Sequence, residues 1–278
     1  MRLFVIQCLL PFAALFLLVI IPTETKVVTS MADCADFFLQ QTPPCVPGIL
    51  EGGNILDQNR YKPICQTLNG TRRFVTLYDT RYRIPVFSAF KYRGKFFLTT
   101  KNNTVFLVDL YTEITYQAGN TDYKNQQVFD RGHLLPSSYG STEVEKLSTF
   151  TLTNIVPQEG TFNKNSWNHM ESCIRCVLDE YCINNNNNKK GYLVIGAQPS
   201  FSNFLNNRVN IPVMLWSAFC CYSHSQMKWL ASAHWGENIH HNNPYLQTMT
   251  LAQLPIFLPA YLLLFSSPIT KHCILTCK

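Results

Sequence analysis

One strongly amphipathic helix surrounded by strand-like runs is the feature of this sequence that most restricts its fold. Between Ser166 and Tyr181, apolar residues recur at steps of three and four: Trp167, Met170, Ile174, Val177, Leu178 and Tyr181. This spacing predicts a helix with one buried face. Asn163 and Asn165 precede it as candidate N-caps.

Short aromatic and β-branched runs lie before and after the helix. They predict strands at 73–78, 84–90, 95–99, 104–110, 191–196, 211–222 and 228–234. Strands on both sides of one strong helix, without regular strand–helix alternation, favour an α+β fold whose sheet core is mixed and largely antiparallel. Hydrophobic residues make up 46% of the 278 residues, which excludes a disordered or collagen-like chain. No repeat or linker interrupts residues 31–243, so we expect one domain there, with an exposed loop at the asparagine run 184–188.

The N-terminus indicates the compartment of the protein. An uncharged apolar run from Leu3 to Pro22 follows Arg2. This pattern is typical of a secretory signal peptide, here residues 1–25, and an uncleaved membrane anchor is the alternative. The chain has 11 cysteines, and removal of Cys8 with the leader leaves an even number. We therefore expect secretion into an oxidising compartment and disulfide bonds.

Two further patterns fit a secreted protein. Sequons for N-glycosylation occur at Asn69-Gly70-Thr71 and at Asn102-Asn103-Thr104. Spacing alone does not fix the disulfide pairing. The bonds that we expect join Cys34 to Cys65, and Cys182 to either Cys220 or Cys221.

The C-terminal segment 244–278 is an apolar tail. No charged residue occurs from Pro244 to Thr270, and prolines stand at 255 and 259. A membrane-spanning helix needs about 20 apolar residues and tolerates proline only with help from its neighbours. We therefore expect the tail to pack on the domain, with a membrane contact or a membrane-anchored form as the alternative.

Three neighbouring segments carry residues suited to chemistry: 129–133 (FDRGH), 153–158 (TNIVPQ) and 163–175. They supply a candidate base, an amide oxygen, a carboxylate and two guanidinium groups. Such a set suits the cleavage of a phosphodiester with the help of a divalent ion. Taken singly, each piece has an ordinary explanation, such as an exposed histidine, a helix cap or a surface ion pair. The order of the whole set favours the chemical interpretation. The cysteines at 173 and 176 have no second CxxC with which to form a zinc site.

The same residues resemble a known family. DRGH at 130–133, TNIVPQ at 153–158, and then Asn163, Trp167, Glu171 and Arg175 resemble the DNA/RNA non-specific endonucleases of the ββα-metal (His-Me finger) class. Segments such as CADFFLQQTPPCVPGIL and NNRVNIPVMLWSAFCCY are similar to the secreted group related to endonuclease domain-containing 1 protein. The resemblance covers about residues 34–238 and implies a ββα-metal motif within the α+β fold.

The resemblance also implies a role for each residue of the set. His133 would be the general base, and Asn163 would be the direct protein ligand of Mg²⁺, or of Mn²⁺ as the alternative ion. Glu171 would hold a metal-bound water. Arg131 and Arg175 would bind the phosphate or stabilise its developing charge.

Three other residues of the motif are expected near the substrate. Asn154 and Gln158 would line the site, and Asp130 would orient the loop. A neutral histidine can act as a base at pH 7, and a water-rich site with one amide ligand suits Mg²⁺. No organic cofactor is expected.

The function expected from the resemblance is a secreted or lumenal endonuclease that cuts DNA and RNA with little sequence preference, through contacts to phosphate. The formal net charge of +6 is compatible with a polyanionic partner but does not by itself indicate one. The alternative is a catalytically silent protein with a nuclease fold, which would bind nucleic acid or act at the cell surface.

Overall fold

The structure is a computed structural model, and it describes residues 25–94, 116–125, 127–183, 190–240 and 242–251. The strands are β1 (Lys26–Val27), β2 (Leu50–Glu51), β3 (Asn54–Ile55), β4 (Tyr61–Leu68), β5 (Thr71–Asp79), β6 (Ile84–Tyr92), β7 (Phe129–His133), β8 (Ile155–Glu159), β9 (Gly191–Gln198), β10 (Phe204–Leu205), β11 (Val209–Asn210), β12 (Met214–Ser223), β13 (Lys228–Glu237) and β14 (Gln247–Met249). The α-helices are α1 (Glu143–Ser148), α2 (Gly160–Phe162) and α3 (Asn168–Tyr181), and a π turn (Asn163–Trp167) joins α2 to α3. Short 3₁₀ turns are at Met31–Phe37, Leu39–Gln41, Asn120–Tyr123, Ser137–Tyr139 and Leu152–Asn154.

An eight-stranded sheet in the order β1-β4-β5-β6-β9-β12-β13-β14 is the centre of the fold. Every strand pair within the described residues is antiparallel. The β4–β5 hairpin turns at Asn69 and Gly70, whose φ angles are +54° and +66°. Both residue types adopt this left-handed conformation readily, and Asn-Gly is a strong hairpin signal. The α+β fold with a largely antiparallel sheet is thus confirmed.

The two faces of the sheet bury different parts of the chain. One face packs Leu193, Ile195, Leu215 and Phe219 into a cluster that also contains residues of α3, such as Ile174 and Leu178. The other face packs residues such as Phe87 and Trp216 against the N-terminal 3₁₀ segment, including Met31 and Phe37. The segments that resemble a nuclease therefore lie on one face of the sheet.

A compact ββα unit occupies that face. Strands β7 and β8 form a separate antiparallel pair, in which His133 lies opposite Ile155 and Asp130 lies opposite Gln158. The chain then continues from β8 into α2, the π turn and α3. The side chain of Asn238 ties this unit to the sheet, because its amide donates to the carbonyls of Pro157 and Pro212, both at 2.9 Å.

The helix begins earlier than the sequence predicted. Oε2 of Glu159 accepts a hydrogen bond from the backbone N–H of Phe162 at 2.7 Å, and α2 starts at Gly160. Asn163 and Asn165 lie within helical turns, so their assignment as N-caps was wrong. A carboxylate satisfies the free N–H groups of the first turn and also interacts favourably with the helix dipole.

The predicted strands agree with the structure wherever they can be compared. The runs at 73–78, 84–90, 191–196 and 228–234 lie within β5, β6, β9 and β13, and β12 begins at Met214 rather than at Ile211. The predicted strands at 95–99 and 104–110 lie outside the described residues, as does the asparagine run 184–188.

Two disulfides link distant segments. Cys34 bonds to Cys65 on β4, as expected, and Cys182 at the end of α3 bonds to Cys221 on β12. The second bond decides between the two partners that the sequence left open. Cys220 is a free thiol, since neighbouring residues of a strand point to opposite faces of the sheet.

The start of the apolar tail extends the sheet. Strand β14 pairs with β13 through Gln247, Thr248 and Met249, and Leu251 is buried in the same cluster as Trp216. The rest of the tail and the predicted signal peptide up to residue 24 lie outside the described residues. Within the part that is described, no helix has the length and apolar character needed to span a bilayer.

Candidate active site

His133 is the last residue of β7, and its side chain is partly exposed. Its ring packs edge-on against Phe150, with the ring centroids 4.5 Å apart. Burial lowers the pKa of His133 to about 4, because the loss of solvent disfavours the charged imidazolium. The imidazole is therefore neutral at pH 7 and able to accept a proton.

Gly132 allows the two strands to approach each other beside His133. A Cβ atom at position 132 would come within 2.5 Å of the Cβ of Gln158. Gln158 is fully buried, and within the described residues neither polar atom of its amide has a hydrogen-bond partner. A buried amide of this kind requires water or a ligand. The suggestion that Gln158 lines a substrate site stays a prediction.

Asn154 is fully buried, and its amide makes four hydrogen bonds. Oδ1 accepts from the hydroxyl of Ser88 at 2.8 Å and from the backbone N–H of Leu135 at 3.0 Å. Nδ2 donates to the carbonyls of Leu135 at 3.0 Å and Thr149 at 2.9 Å. These bonds use the whole capacity of an amide group. These bonds hold the loop that follows His133, and the suggestion that Asn154 lines a substrate site stays a prediction.

Asn163 begins the π turn, and Asp130 fixes the orientation of its side chain. Nδ2 of Asn163 donates to Oδ2 of Asp130 at 3.1 Å, and the ammonium group of Lys164 lies 2.8 Å from the same oxygen. A carboxylate can only accept hydrogen bonds, so the amide nitrogen must face Asp130 and Oδ1 must face away from it. Within the described part of the chain, no donor bonds to Oδ1 of Asn163. This oxygen is available to a cation.

The π turn brings Glu171 to the same side of the helix as Asn163. In a continuous α-helix, residues eight apart differ by roughly 80° around the axis, at about 100° per residue. A π turn has hydrogen bonds from i to i+5 and a smaller rotation per residue, which reduces this angle. Since Asn163–Trp167 forms such a turn, the amide and the carboxyl share one face.

The carboxyl group of Glu171 is partly buried on α3. Burial raises its pKa to about 8, although the nearby indole of Trp167 and the positive charge of Arg175 both act to lower it. The hydroxyl of Tyr139 donates to the backbone carbonyl of Glu171 at 3.2 Å and holds this turn of the helix. A cation nearby would favour the ionised form of this carboxyl.

The two arginines of the motif occupy different positions. Arg175 is one turn beyond Glu171, and its positive charge acts to lower the pKa values of Glu171, Tyr139 and Tyr92. Arg131 is exposed on β7, and its guanidinium donates to Oδ1 of Asn120 at 3.0 Å. The structure thus brings Arg175 to Glu171 and leaves Arg131 at the solvent.

The available donor atoms fit a hydrated divalent ion. No cluster of three or more His, Cys, Asp or Glu side chains that could hold a metal occurs among the residues described. Mg²⁺ prefers oxygen ligands and keeps several of its waters. Asn163 offers one oriented oxygen, while Glu171 and the buried amide of Gln158 are polar groups that bound waters could satisfy.

Comparison with known families agrees with this geometry. Residues 55–253 match the family of DNA/RNA non-specific endonucleases. The chain belongs to this family. The match includes β7, β8, α3 and most of the central sheet, so the resemblance of the motifs at 130–175 is confirmed.

Individual members of the endonuclease family show where the similarity lies. Human endonuclease domain-containing 1 protein is 29% identical over 209 residues, which are 68% of this chain and 39% of that protein. Bovine mitochondrial endonuclease G is 29% identical over 142 residues, 50% of this chain and 47% of that protein. The chain therefore matches less than half the length of either relative.

A solved structure of the same fold supports the topology. The crystal structure of the EndoG/EndoGI complex aligns with a TM-score of 0.53 at 21% identity, covering 64% of this chain and 78% of that chain. This similarity concerns the fold alone, which it confirms as that of the endonuclease family.

Some residues that support the candidate site were not predicted. Ser88 holds the amide of Asn154, Phe150 packs on His133, and Lys164 neutralises Asp130. A signal existed for Ser88, because a hydroxyl inside the apolar run IPVFSAF needs a buried partner. The contacts of Phe150 and Lys164 depend on tertiary structure.

Proposed function

We propose that this member of the family is an active metal-dependent endonuclease that hydrolyses phosphodiester bonds of DNA and RNA with little sequence preference. One observation carries the proposal. A single ββα unit holds a neutral His133 and also Asn163, whose amide oxygen is turned away from Asp130. A base and an oriented oxygen ligand are the two groups that metal-assisted hydrolysis requires.

His133 takes a proton from the attacking water as the water approaches phosphorus. Its lowered pKa keeps the ring unprotonated over the whole neutral range but also weakens it as a base, because a general base works best when its pKa lies near the operating pH. A bound Mg²⁺ or Mn²⁺ would supply positive charge to the phosphate oxygens and to the leaving oxygen. Oδ1 of Asn163 would hold that ion directly, and Glu171 would hold one of its waters.

The arginines contribute charge to the same substrate. Arg175 lies beside the carboxyl of Glu171 and would neutralise the scissile phosphate, while the exposed Arg131 would contact the phosphate from the β7 side. Contacts of this kind recognise the backbone and carry no base information. Weak sequence preference and activity on both DNA and RNA follow from that chemistry.

The site of action that we propose is the secretory pathway or the extracellular space. The bonds Cys34–Cys65 and Cys182–Cys221 fit an oxidising compartment. The sequon asparagine Asn69 is exposed at the tip of the β4–β5 hairpin, where a glycan can be accommodated.

A nuclease assay tests the proposed activity. Purified protein is incubated with plasmid DNA and with single-stranded RNA in Mg²⁺ or Mn²⁺, and EDTA is added to parallel samples. We expect cleavage of both polymers, full inhibition by EDTA, and a loss of at least about 100-fold in rate for His133→Ala. His224→Ala is the matched control, because this histidine lies in the β12–β13 turn beside Tyr222. Intact polymers in every ion with the wild-type protein would refute the proposal.

A further inference from the structure

An open groove of about 820 Å³ lies next to the candidate active site. Its lining includes Gln127, Lys164, Asn165, His240 and Asn242, and also Glu159, whose carboxylate already accepts hydrogen bonds from Thr161 and from the backbone N–H of Phe162. The volume falls within the range of sites that bind small molecules or parts of polymers. His133 does not line this groove, which is therefore a surface additional to the catalytic groups.

Lys164 connects the groove to the candidate metal ligand. Its ammonium group contacts Oδ1 of Asp130 at 3.1 Å and Oδ2 at 2.8 Å, and Oδ2 also accepts the amide of Asn163. The side chain of Lys164 is 71% exposed, so its remaining N–H donor is open to a ligand in the groove. Lys164 therefore lies both in the lining of the groove and beside the residue that orients Asn163.

His240 forms a fixed part of the opposite wall. The hydroxyl of Thr161 donates to Oε2 of Glu159 at 2.6 Å, so its oxygen accepts from Nδ1–H of His240 at 2.9 Å. The other ring nitrogen lies 3.1 Å from Oδ1 of Asn242. The bond to Thr161 orients the ring, and the exposed imidazole offers a surface on which a base or sugar can pack.

We propose that this groove binds the nucleic-acid strand adjacent to the scissile phosphate. The inference rests on the proposed function and adds a second contact region to it. Lys164 and the amide groups of Gln127 and Asn165 are donors suited to phosphate and sugar oxygens. The ring of His240 contacts the flanking nucleotide. Such a region makes the enzyme prefer polymers to short diesters.

Charge changes at Gln127 test the groove. Gln127 is exposed, so Gln127→Glu and Gln127→Lys alter the charge of the groove without removing a buried group. The matched controls are Gln226→Glu and Gln226→Lys, which make the same changes in the exposed β12–β13 turn. The ten residues of β13 separate this turn from His240, a distance of roughly 30 Å.

Binding is measured by fluorescence anisotropy with a labelled 12-nucleotide single-stranded DNA in EDTA and low salt. We expect Gln127→Glu to raise Kd by about threefold to tenfold and Gln127→Lys to lower it, with smaller effects at high salt. Both Gln226 variants should bind as the wild-type protein does. Equal effects at the two positions would overturn the proposal, because they would show a response to net charge alone.

A comparison of a long substrate with a short one adds an independent test. The ratio of kcat/KM on the 12-nucleotide strand to kcat/KM on a nitrophenyl phosphodiester of thymidine should fall about threefold to tenfold in His240→Ala. It should stay constant in His224→Ala. An unchanged ratio in His240→Ala would contradict the groove while leaving the nuclease activity established. An inactive wild-type protein that still loses binding in Gln127→Glu would contradict the nuclease and support the groove.

Discussion

The amide nitrogen of Asn163 donates to the carboxylate of Asp130 across 3.1 Å, and this bond determines which atom of Asn163 can bind a cation. Asp130 comes from β7, whereas Asn163 comes from the turn after β8. The oxygen of the amide is thus oriented by a residue that need not touch the ion itself. Partners of this kind typically change metal affinity or activity by about 10-fold to 100-fold.

Asp130→Asn should therefore raise the Mg²⁺ concentration that gives half-maximal cleavage by at least about tenfold. An asparagine at 130 can donate as well as accept, so it no longer forces the oxygen of Asn163 outward. A Mg²⁺ titration of plasmid cleavage measures the effect. Asp36→Asn is the control, because it changes net charge equally on an exposed residue of the N-terminal segment. An unchanged Mg²⁺ requirement in Asp130→Asn would exclude the orienting role.

Asn154→Ala should destabilise the fold strongly and leave KM for nucleic acid nearly unchanged. The substitution removes four hydrogen bonds and leaves the backbone groups of Leu135 and Thr149 without this partner, while Ser88 keeps its hydrogen bond to Thr76. Unsatisfied buried groups cost about 1–3 kcal/mol each, so a loss of at least about 3 kcal/mol is expected. Urea unfolding and KM measurements test this. A stable variant with a raised KM would return Asn154 to the substrate-binding residues.

The local hydrophobic pattern of the sequence predicted the helices and strands better than it predicted the side-chain contacts of the candidate site. The apolar period of the helix and the β-branched runs were sufficient for α3, β5 and β6, because these elements bury one face or both faces on the sheet. The predicted start of the helix was wrong, because the side chain of Glu159, and not an asparagine, caps its first turn. The four bonds of Asn154 join segments that are distant in sequence, including Ser88. Hydrophobic periodicity indicates which face of one element is buried, and it does not predict hydrogen bonds between distant segments.

The stability of the metal-free protein should fall as pH rises from 6.5 to 8. Burial raises the pKa of Glu171 from 4.5 to about 8, so the folded protein keeps a proton that the unfolded chain has released. This difference destabilises the fold by up to about 1.4 kcal/mol per pH unit. His133 and His234, whose pKa values burial lowers to about 4, make stability rise with pH only below 6.5.

Glu171→Gln isolates the contribution of this carboxyl. Glutamine stays neutral, so the free energy of unfolding in EDTA should be nearly constant between pH 6.5 and 8 in this variant. Glu180→Gln, an exposed substitution on the same helix, should follow the wild-type curve. Urea unfolding at several pH values provides the measurement. A wild-type curve without a decline above pH 6.5 would show that Glu171 ionises normally.

Cys221→Ser should loosen the helix that carries Glu171 and Arg175. The Cys182–Cys221 bond joins residues 39 apart and attaches the end of α3 to β12. In the chain-entropy model, a disulfide that closes a loop of this length stabilises the fold by about 4 kcal/mol. The measured stabilisation by a disulfide is typically about 2–4 kcal/mol. Cys220→Ser is the matched control, because the neighbouring thiol is free and burial raises its pKa to about 12. We expect a loss of unfolding free energy and a lower kcat in Cys221→Ser, against less than about 1 kcal/mol in the control. Equal stability of the two variants would mean that packing alone holds α3, which carries Glu171 and Arg175, against the sheet.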